Sequence, residues 1–312
     1  MFSFGQLAGA VLLLLTIGLF DRLLNFVPNR EELGPRRVTL HFKPAVLDAG
    51  GFGPFRLAGA WDIRSDDRRV GGLSALAIDR GQLVALSDNG AVVRFRPPHG
   101  LSGDAQIQEV PDGPGDGRFK RNRDSEALAR DPLGRGWWVA FENRHELWLY
   151  DLAFGRALER IKLGRDRWRA NKGVEGIAVD SDGLLLFPED GQSTLRVSGS
   201  RLRTFALDRA RGRISDVAVL QPGQMIAVER RLTPFGFKNS LVWVERFGGH
   251  YHLTRRVALP LRAIDNVEAI AVQQLPDGSR RLWLMTDDNY QRPLRTLLIA
   301  LEMPRIDRST TP

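Results

Sequence analysis

The chain contains Val174-Glu-Gly-Ile-Ala-Val-Asp-Ser-Asp-Gly-Leu-Leu-Leu-Phe-Pro-Glu189, one copy of a hairpin pattern that occurs five times. Each copy opens on Ser or Glu before a short apolar strand. It then passes a glycine-containing turn and enters a second apolar strand with a polar end. The copies open at Ser74, Glu126, Glu175, Ser215 and Glu268, and their polar ends begin at Ser87, Glu142, Glu189, Glu229 and Asp287. Because such a hairpin cannot bury its apolar face alone, the copies must stack on one another.

The spacing of the copies predicts an all-β chain with a β-propeller fold. Successive copies begin roughly 40–50 residues apart, which is typical of units of several strands. Each unit has room for two further strands, so we expect six four-stranded blades preceded by an N-terminal apolar helix. The sixth blade would combine strands at residues 38–42, 55–63 and 296–302. Five or seven blades also fit the spacing, whereas a β-sandwich would not explain the repeat. Tryptophans on the strands are expected to pack between blades.

An uncharged stretch at residues 1–20 precedes the repeats. Its apolar core at residues 7–20 suits a signal peptide, and the full stretch is just long enough to span a membrane. We predict a signal peptide or N-terminal membrane anchor at 1–24, a linker at 25–37, the propeller at 38–304 and a C-terminal tail at 305–312. An apolar helix packed on the domain is the alternative. We expect an exported protein, which is periplasmic, secreted or tethered to the inner membrane facing the periplasm.

Composition excludes several classes of site. The 312-residue chain has no cysteine, which excludes disulfides, thiolate nucleophiles and cysteine-bound zinc or iron–sulfur centres. It also lacks a Gly-x-Ser-x-Gly elbow, a Walker loop and a dinucleotide fingerprint. The net charge of +8 suits an anionic partner. Because the basic residues are scattered and no nucleic-acid-binding motif accompanies them, we expect an anionic small-molecule substrate and no nucleic acid. We also expect a monomeric protein.

The polar ends of the hairpins indicate where a site would form. A hairpin puts the start of one strand beside the end of the next, so both sets of polar residues should meet at one rim of the propeller channel. We assign catalytic roles there to Glu126, Glu142, Glu175, Glu189 and Glu268. The alternative for each Glu is a structural one, in which it hydrogen-bonds the backbone of the neighbouring blade.

Carboxylates at such a rim repel one another, and a divalent cation or basic side chains can compensate their negative charge. Oxygen ligands suited to a hard cation such as Ca²⁺ are offered by Asp88, Asn89, Asp287 and Asp288. Basic residues in the same motifs can hold the anionic oxygens of a phosphoester, and these are Arg123, Arg144, Lys172, Arg230 and Arg231. His250 and His252 put two imidazoles on one face of a predicted strand. Because no third ligand is suggested nearby, we interpret them as a surface pair and not as a zinc site.

Five of these motifs together resemble the phytase-like domain family, whose bacterial members are called "esterase-like activity of phytase family" proteins. They are Gly71-Gly-Leu-Ser-Ala-Leu76, Asp124-Ser-Glu-Ala-Leu128, Lys172-Gly-Val-Glu-Gly-Ile-Ala178, Arg230-Arg231 and Asn266-Val-Glu-Ala-Ile270. The resemblance covers residues 38–302. It implies an exported propeller that hydrolyses esters or phosphoesters, and the related β-propeller phytases bind several Ca²⁺ ions. This chain departs from a full acidic ring, because two copies open with Ser74 and Ser215.

Three functions remain open from the sequence. The first is a metal-dependent hydrolase of phosphoesters, which we favour because acidic and basic residues converge on one rim. The second is a non-catalytic propeller that binds a ligand or partner in the cell envelope. The third is a metal-independent carboxylesterase or lactonase. A fold alone cannot choose among them.

Overall fold

The computed structural model describes residues 34–164, 168, 172–180, 182–189, 193–199, 201–291 and 293–304. The predicted N-terminal apolar helix and the tail at 305–312 lie outside this part of the chain. Within it, no helix is long and apolar enough to cross a membrane. Its helical structure consists of three short 3-10 turns, at Ala49–Gly51, Lys120–Asn122 and Glu142–Arg144.

The described residues form antiparallel strands grouped in five four-stranded units. Two N-terminal strands come first, β1 (Arg36–Pro44) and β2 (Arg56–Arg64). Unit 1 contains β3 (Leu73–Asp79), β4 (Gln82–Ser87), β5 (Ala91–Phe95) and β6 (Ser102–Glu109). Unit 2 contains β7 (Ser125–Arg130), β8 (Gly136–Phe141), β9 (Glu146–Asp151) and β10 (Ala157–Lys162). Unit 3 contains β11 (Val174–Asp180), β12 (Gly183–Pro188), β13 (Ser193–Ser198) and β14 (Arg201–Ala206).

The last two units show how the ring closes. Unit 4 contains β15 (Arg213–Gln221), β16 (Gln224–Thr233), β17 (Gly236–Phe247) and β18 (His250–Ala258). Unit 5 contains β19 (Asn266–Gln274), β20 (Arg280–Asp287) and β21 (Leu297–Glu302), with β2 as its outer strand. The first strands of the units adjoin in the order β3, β7, β11, β15, β19, and β19 returns to β3. An N-terminal strand therefore completes the C-terminal unit.

The propeller-like, all-β architecture is confirmed, but six blades are not. Strands expected to build a sixth blade belong to the fifth unit or connect units. β21 and β2 pair with each other in unit 5. β1 pairs with both β2 and β6, so it joins units 5 and 1 into one nine-stranded sheet. The described residues thus form five units, one for each copy of the hairpin.

The hydrophobic core is divided among the interfaces between units. Five clusters of buried side chains fill the junctions, one cluster for each pair of neighbouring units. In β8, the adjacent residues Trp137 and Trp138 are both buried but lie in different clusters. Successive strand residues point to opposite faces, so the side chains of one strand pack into both neighbouring junctions. This explains why the second strands are apolar throughout, and it confirms the packing expected for the tryptophans.

A β-bulge occurs at the same place in every unit. The pairing of the first and second strands shifts register around the residue that opens each copy: Ser74, Glu126, Glu175, Ser215 and Glu268. A bulge leaves one residue outside the regular ladder and re-aims its side chain. Three of the five bulge positions are glutamates, so the fold repeatedly directs a carboxylate out of the ladder.

Candidate functional site

The predicted rim is present, because one backbone contact recurs in three units. The residue after the second strand donates its N–H to a carbonyl just before the first strand. Asp88 bonds Gly72 at 2.8 Å, Glu142 bonds Asp124 at 2.8 Å, and Glu189 bonds Gly173 at 2.9 Å. This extra bond brings the polar strand end next to the bulge residue of the same unit.

Carboxylates from several units meet at this rim. Oxygen atoms of Asp124, Glu126 and Glu142 lie within 4.8 Å of one another, and so do those of Glu142, Glu175 and Glu189. The two groups share Glu142 and together connect units 2 and 3. Gly173 permits this approach, because a Cβ there would lie 2.9 Å from the Glu142 Cα. Each group has the oxygen-rich composition that hard divalent cations prefer.

Burial and mutual repulsion keep protons on these carboxyl groups. Burial raises the pKa of Glu142 to about 8, and the charges of Asp124 and Glu189 add to the effect. The pKa of Glu126 is raised well above its usual range by burial and by Asp124. Burial and Glu142 do the same for the pKa of Glu175. Without a cation, full ionisation of the cluster is therefore unfavourable.

Lys120 supplies part of the missing positive charge. Its ammonium group lies 2.6 Å from Asp124 Oδ1 and 2.9 Å from Asp88 Oδ2. Burial raises the pKa of Asp88 to about 6, although Lys120 opposes this shift. The other oxygen of Asp88, Oδ1, is buried and has no hydrogen-bond partner among the described residues. One oxygen of Asp88 is therefore held by Lys120, and the second is a buried acceptor without a hydrogen-bond partner among the described residues.

Three more cations flank the carboxylates. Lys172 donates to Glu189 at 2.9 Å, and Arg213 bonds the other oxygen of the same carboxylate. Arg230 bonds Glu268 and donates to the Asn266 side-chain oxygen at 2.6 Å. Four cations thus accompany eight carboxylates, which are Asp88, Asp124, Glu126, Glu142, Glu175, Glu189, Glu268 and Asp287.

Three predicted metal ligands, Asp287, Asp288 and Asn89, have distinct surroundings at the junction of units 1 and 5. Asp287 is buried, and burial together with Glu268 raises its pKa well above the usual range. The Asp288 carboxylate instead accepts the backbone N–H groups of Gly72 at 2.9 Å and Tyr290 at 3.0 Å. Asn89 lies beside the Tyr290 hydroxyl. Asp288 therefore closes the loop between two units, and its role as a metal ligand stays a prediction.

Two of the five predicted basic residues, Arg123 and Arg144, contact uncharged groups, and a third, Arg231, is exposed. The Arg123 guanidinium donates to the Pro114 carbonyl at 2.9 Å and so fixes the loop before the Lys120–Asn122 turn. Arg144 donates to the Asn122 side-chain oxygen at 2.8 Å. Arg231 is exposed and follows Arg230 in β16, so its side chain points to the opposite face. Lys172 and Arg230 contact rim carboxylates, those of Glu189 and Glu268.

Bonds between neighbouring units, of the kind that the structural alternative expects of each Glu, are made by other residues in the two units whose copies open with Ser. Ser74 donates to the Ser125 carbonyl at 2.6 Å, and Ser125 donates to the Ser87 carbonyl at 2.7 Å. In unit 4, Asp216 accepts the Ile270 N–H of unit 5 at 2.8 Å. These bonds connect neighbouring units. Among the described residues, Glu126 and Glu175 make no comparable bond to a backbone N–H, so they are not needed as such connectors.

Glu229 also has a structural role. It closes the second strand of unit 4, and both of its oxygens accept from Arg256, at 2.7 and 3.0 Å. Its position matches those of Glu142 and Glu189, but its negative charge is paired with Arg256. The acidic cluster is therefore confined to units 1, 2, 3 and 5.

Sequence reasoning missed Lys120 and Arg213 as members of the site. Lys120 lies in a 3-10 turn between two units, and nothing in the repeat pattern indicates that this turn reaches the rim. Arg213 begins β15, before the residue that opens the fourth copy. Asp124 carried a weak signal, because it stands two residues before the Glu126 bulge position.

Comparison with known proteins agrees with this architecture. The family model described as "Phytase-like: Esterase-like activity of phytase" matches residues 68–290. No curated protein matches the chain significantly. Among solved structures, glutaminyl cyclase of Myxococcus xanthus has a TM-score of 0.52 at 10% identity, covering 80% of this chain and 97% of its own. The Cps50 (Swd1) β-propeller domain of Myceliophteria thermophila has a TM-score of 0.41 at 12% identity, covering 78% and 69%. At 10% identity, the likeness to the glutaminyl cyclase concerns the fold alone.

Proposed function

Because the chain belongs to the phytase-like family, we propose that its acidic rim binds a divalent cation and hydrolyses phosphoesters. The observation that carries the proposal is the pair of carboxylate groups sharing Glu142, with cations at their edges. Neither feature alone suffices. Carboxylates would repel an anionic substrate, and cations alone would bind it without activating water.

The donor set fits a hard cation, and Ca²⁺ is the first candidate. Every candidate ligand atom in the two groups is a carboxylate oxygen, the ligand type that Ca²⁺ and Mg²⁺ prefer. Asp124, Glu126, Glu142, Glu175 and Glu189 would hold the ion. When bound, the cation polarises phosphoryl oxygens and makes a nearby water molecule more acidic. The raised pKa of Glu142 means that cation binding has to displace protons.

Basic residues at the edge of the cluster suit the anionic oxygens of the substrate. Arg213 and Lys172 both contact Glu189 and retain exposed surface, with side-chain exposures of 57% and 36%. A phosphoester can displace the Glu189 carboxylate from Arg213 and Lys172, since guanidinium and ammonium donors bind both kinds of anion. Arg230 is more deeply buried beside Glu268 and would orient the substrate from the side of unit 5.

Asp88 is suited to accept a proton from the attacking water. Its Oδ1 has no partner among the described residues, and its pKa near 6 lies close to neutral pH. A general base is most effective when its pKa is near the working pH. Lys120 holds the other oxygen and keeps the group ionised at pH 7.

We further propose export, because residues 7–20 form an uncharged apolar core suited to a signal peptide or anchor. The exported protein would be periplasmic, secreted or tethered to the inner membrane, and it would act as a monomer.

The test is hydrolysis of p-nitrophenyl phosphate with Ca²⁺, Mg²⁺ or Mn²⁺, before and after EDTA treatment. The double variant Glu126→Gln/Glu175→Gln should lose at least about 100-fold in kcat/KM, whereas the control Glu245→Gln should retain activity. Undiminished hydrolysis by the double variant would refute the assignment. Hydrolysis of p-nitrophenyl acetate in EDTA without phosphatase activity would favour a carboxylesterase. Inactivity on both substrates would favour an envelope-binding propeller.

A further inference from the structure

We propose that Asp208, His250 and His252 form a second metal site, for a borderline cation such as Zn²⁺, at the outer junction of units 3 and 4. One ligand atom from each of the three side chains lies within 4.8 Å of the others. The set includes two imidazoles, unlike the all-carboxylate groups of the rim. Its metal preference should therefore differ, because imidazole nitrogen suits Zn²⁺, Cu²⁺ and Ni²⁺ better than Ca²⁺.

The sequence around the two histidines does not indicate the third ligand, because that ligand comes from another unit. Asp208 follows β14 of unit 3, whereas the histidines lie 42 and 44 residues later in β18. A parallel bridge between Leu207 and Tyr251 brings the segments together. The Asp208 N–H also donates to the Tyr251 carbonyl at 2.9 Å. The interpretation of the histidines as a simple pair thus omitted a carboxylate that the fold supplies.

The spacing of the ligand atoms suits a tetrahedral ion. His250 Nε2 lies 2.9 Å from Asp208 Oδ1, and His252 Nδ1 lies 3.5 Å from Asp208 Oδ2. Tetrahedral zinc with bonds of about 2.0–2.1 Å holds its ligand atoms roughly 3.3 Å apart. The two nitrogens lie near different oxygens of the same carboxylate, so the stacked His rings have to turn for both nitrogens and one oxygen to meet at a single ion. With three protein ligands, water would occupy the remaining position.

Neighbouring groups hold the ligands in orientation. Asp208 Oδ2 accepts the Leu253 N–H at 3.0 Å. The His250 and His252 rings stack at 4.4 Å, and Phe247 stacks on His252 at 3.9 Å. Such surrounding contacts orient metal ligands and raise affinity. Because the ligands come from two units, a bound ion would cross-connect the outer edges of units 3 and 4.

The experiment is isothermal titration of the full chain with ZnCl₂, with excess Ca²⁺ present to compete with Zn²⁺ for the carboxylate rim. The parent protein should bind Zn²⁺ and gain thermal stability. His250→Ala/His252→Ala should weaken Zn²⁺ binding at least about 100-fold, and Asp208→Asn about tenfold. His41→Ala, which removes an exposed histidine elsewhere, should bind like the parent.

Equal Zn²⁺ affinity in the parent and the double variant would overturn the proposal, as would a parent that binds no Zn²⁺. Circular dichroism of each variant without metal checks folding. If the double variant misfolds, Asp208→Asn decides, because an unchanged Zn²⁺ affinity in that variant refutes the site. None of these variants alters the rim, so the proposed hydrolase activity can fail or succeed separately.

Discussion

A carboxylate oxygen of Glu142 in unit 2 lies within 4.8 Å of one of Glu175 in unit 3. The two residues belong to different copies of the repeat, and each occupies the position that its copy prescribes. Glu142 follows a second strand, and Glu175 occupies a bulge in a first strand. Their proximity is electrostatically costly without a proton or cation between them.

The metal-free protein should lose stability as the pH rises. Burial raises the pKa of Glu142 from 4.5 to about 8, so between these values the folded state holds a proton that the unfolded chain releases. The free energy of unfolding must then fall as pH increases across this range, by up to about 1.4 kcal/mol per pH unit for one group. Thermal unfolding in EDTA from pH 5 to 8 measures this. Glu142→Gln should show a smaller slope, and a parent without any decline would contradict the expectation.

Replacing Lys120 should destabilise the protein more at pH 8 than at pH 5. Lys120→Met leaves Asp88 and Asp124 without their shared cation. We expect a loss of about 1–3 kcal/mol at pH 8, because a charge-assisted contact is removed. The loss should be smaller at pH 5, where Asp88 can be protonated. Urea unfolding at both pH values tests this, with the exposed Lys162→Met as control. An equal loss of stability at pH 5 and pH 8 would argue that Lys120 does not compensate the charges of Asp88 and Asp124.

Arg230 and Arg231 should behave differently despite their adjacency. Arg230 contacts Glu268 at the rim, whereas Arg231 is exposed on the other face of β16. Arg230→Gln should lower kcat/KM on p-nitrophenyl phosphate roughly tenfold to 100-fold, the range expected for a lost charged hydrogen bond. Arg231→Gln should have no effect. The assignment fails if the two variants have equal activity.

Asp216 should matter for stability and not for chemistry. Its carboxylate accepts the Val217 N–H at 2.7 Å and the Ile270 N–H at 2.8 Å, and it is buried between units 4 and 5. Asp216→Ala leaves buried donors unpaired, which costs about 2–3 kcal/mol. Urea unfolding measures this loss, and Asp104→Ala, at an exposed position in β6, is the control. Specific activity of the folded variant should be unchanged, and a stable but inactive variant would move Asp216 into the site.

The repeat made the fold predictable from sequence, but not the closure of the ring. Five copies, each with two apolar strands joined by a glycine-containing turn, correspond to the five units. Six blades were favoured over five, and the sixth is not confirmed, because pairing between β2 and β21 joins residues from opposite ends of the chain in unit 5. Nothing in a local pattern indicates which unit an isolated strand completes.

Sequence patterns located the carboxylates better than the cations. Glu126, Glu175 and Glu268 stand at equivalent repeat positions, so their convergence followed from the period. Lys120 and Arg213 lie in connecting or flanking segments, where the repeat imposes no position. Arg123 and Arg144 were expected at the rim because they neighbour acidic residues in sequence, but their side chains contact Pro114 and Asn122. Adjacency in sequence does not determine the direction of a side chain that lies outside a strand.

The most direct test of the central claim is calorimetric titration of Ca²⁺, Mg²⁺ and Mn²⁺ into the parent protein, Glu142→Gln and Glu229→Gln. The two variants change matching positions of units 2 and 4, but Glu229 is engaged by Arg256. We predict that the parent binds a divalent cation and that Glu142→Gln weakens this binding at least about tenfold, because both carboxylate groups lose a ligand. Glu229→Gln should bind like the parent, although it is less stable. A parent that binds none of the three cations, or a Glu142→Gln protein that binds as tightly as the parent, would contradict the account.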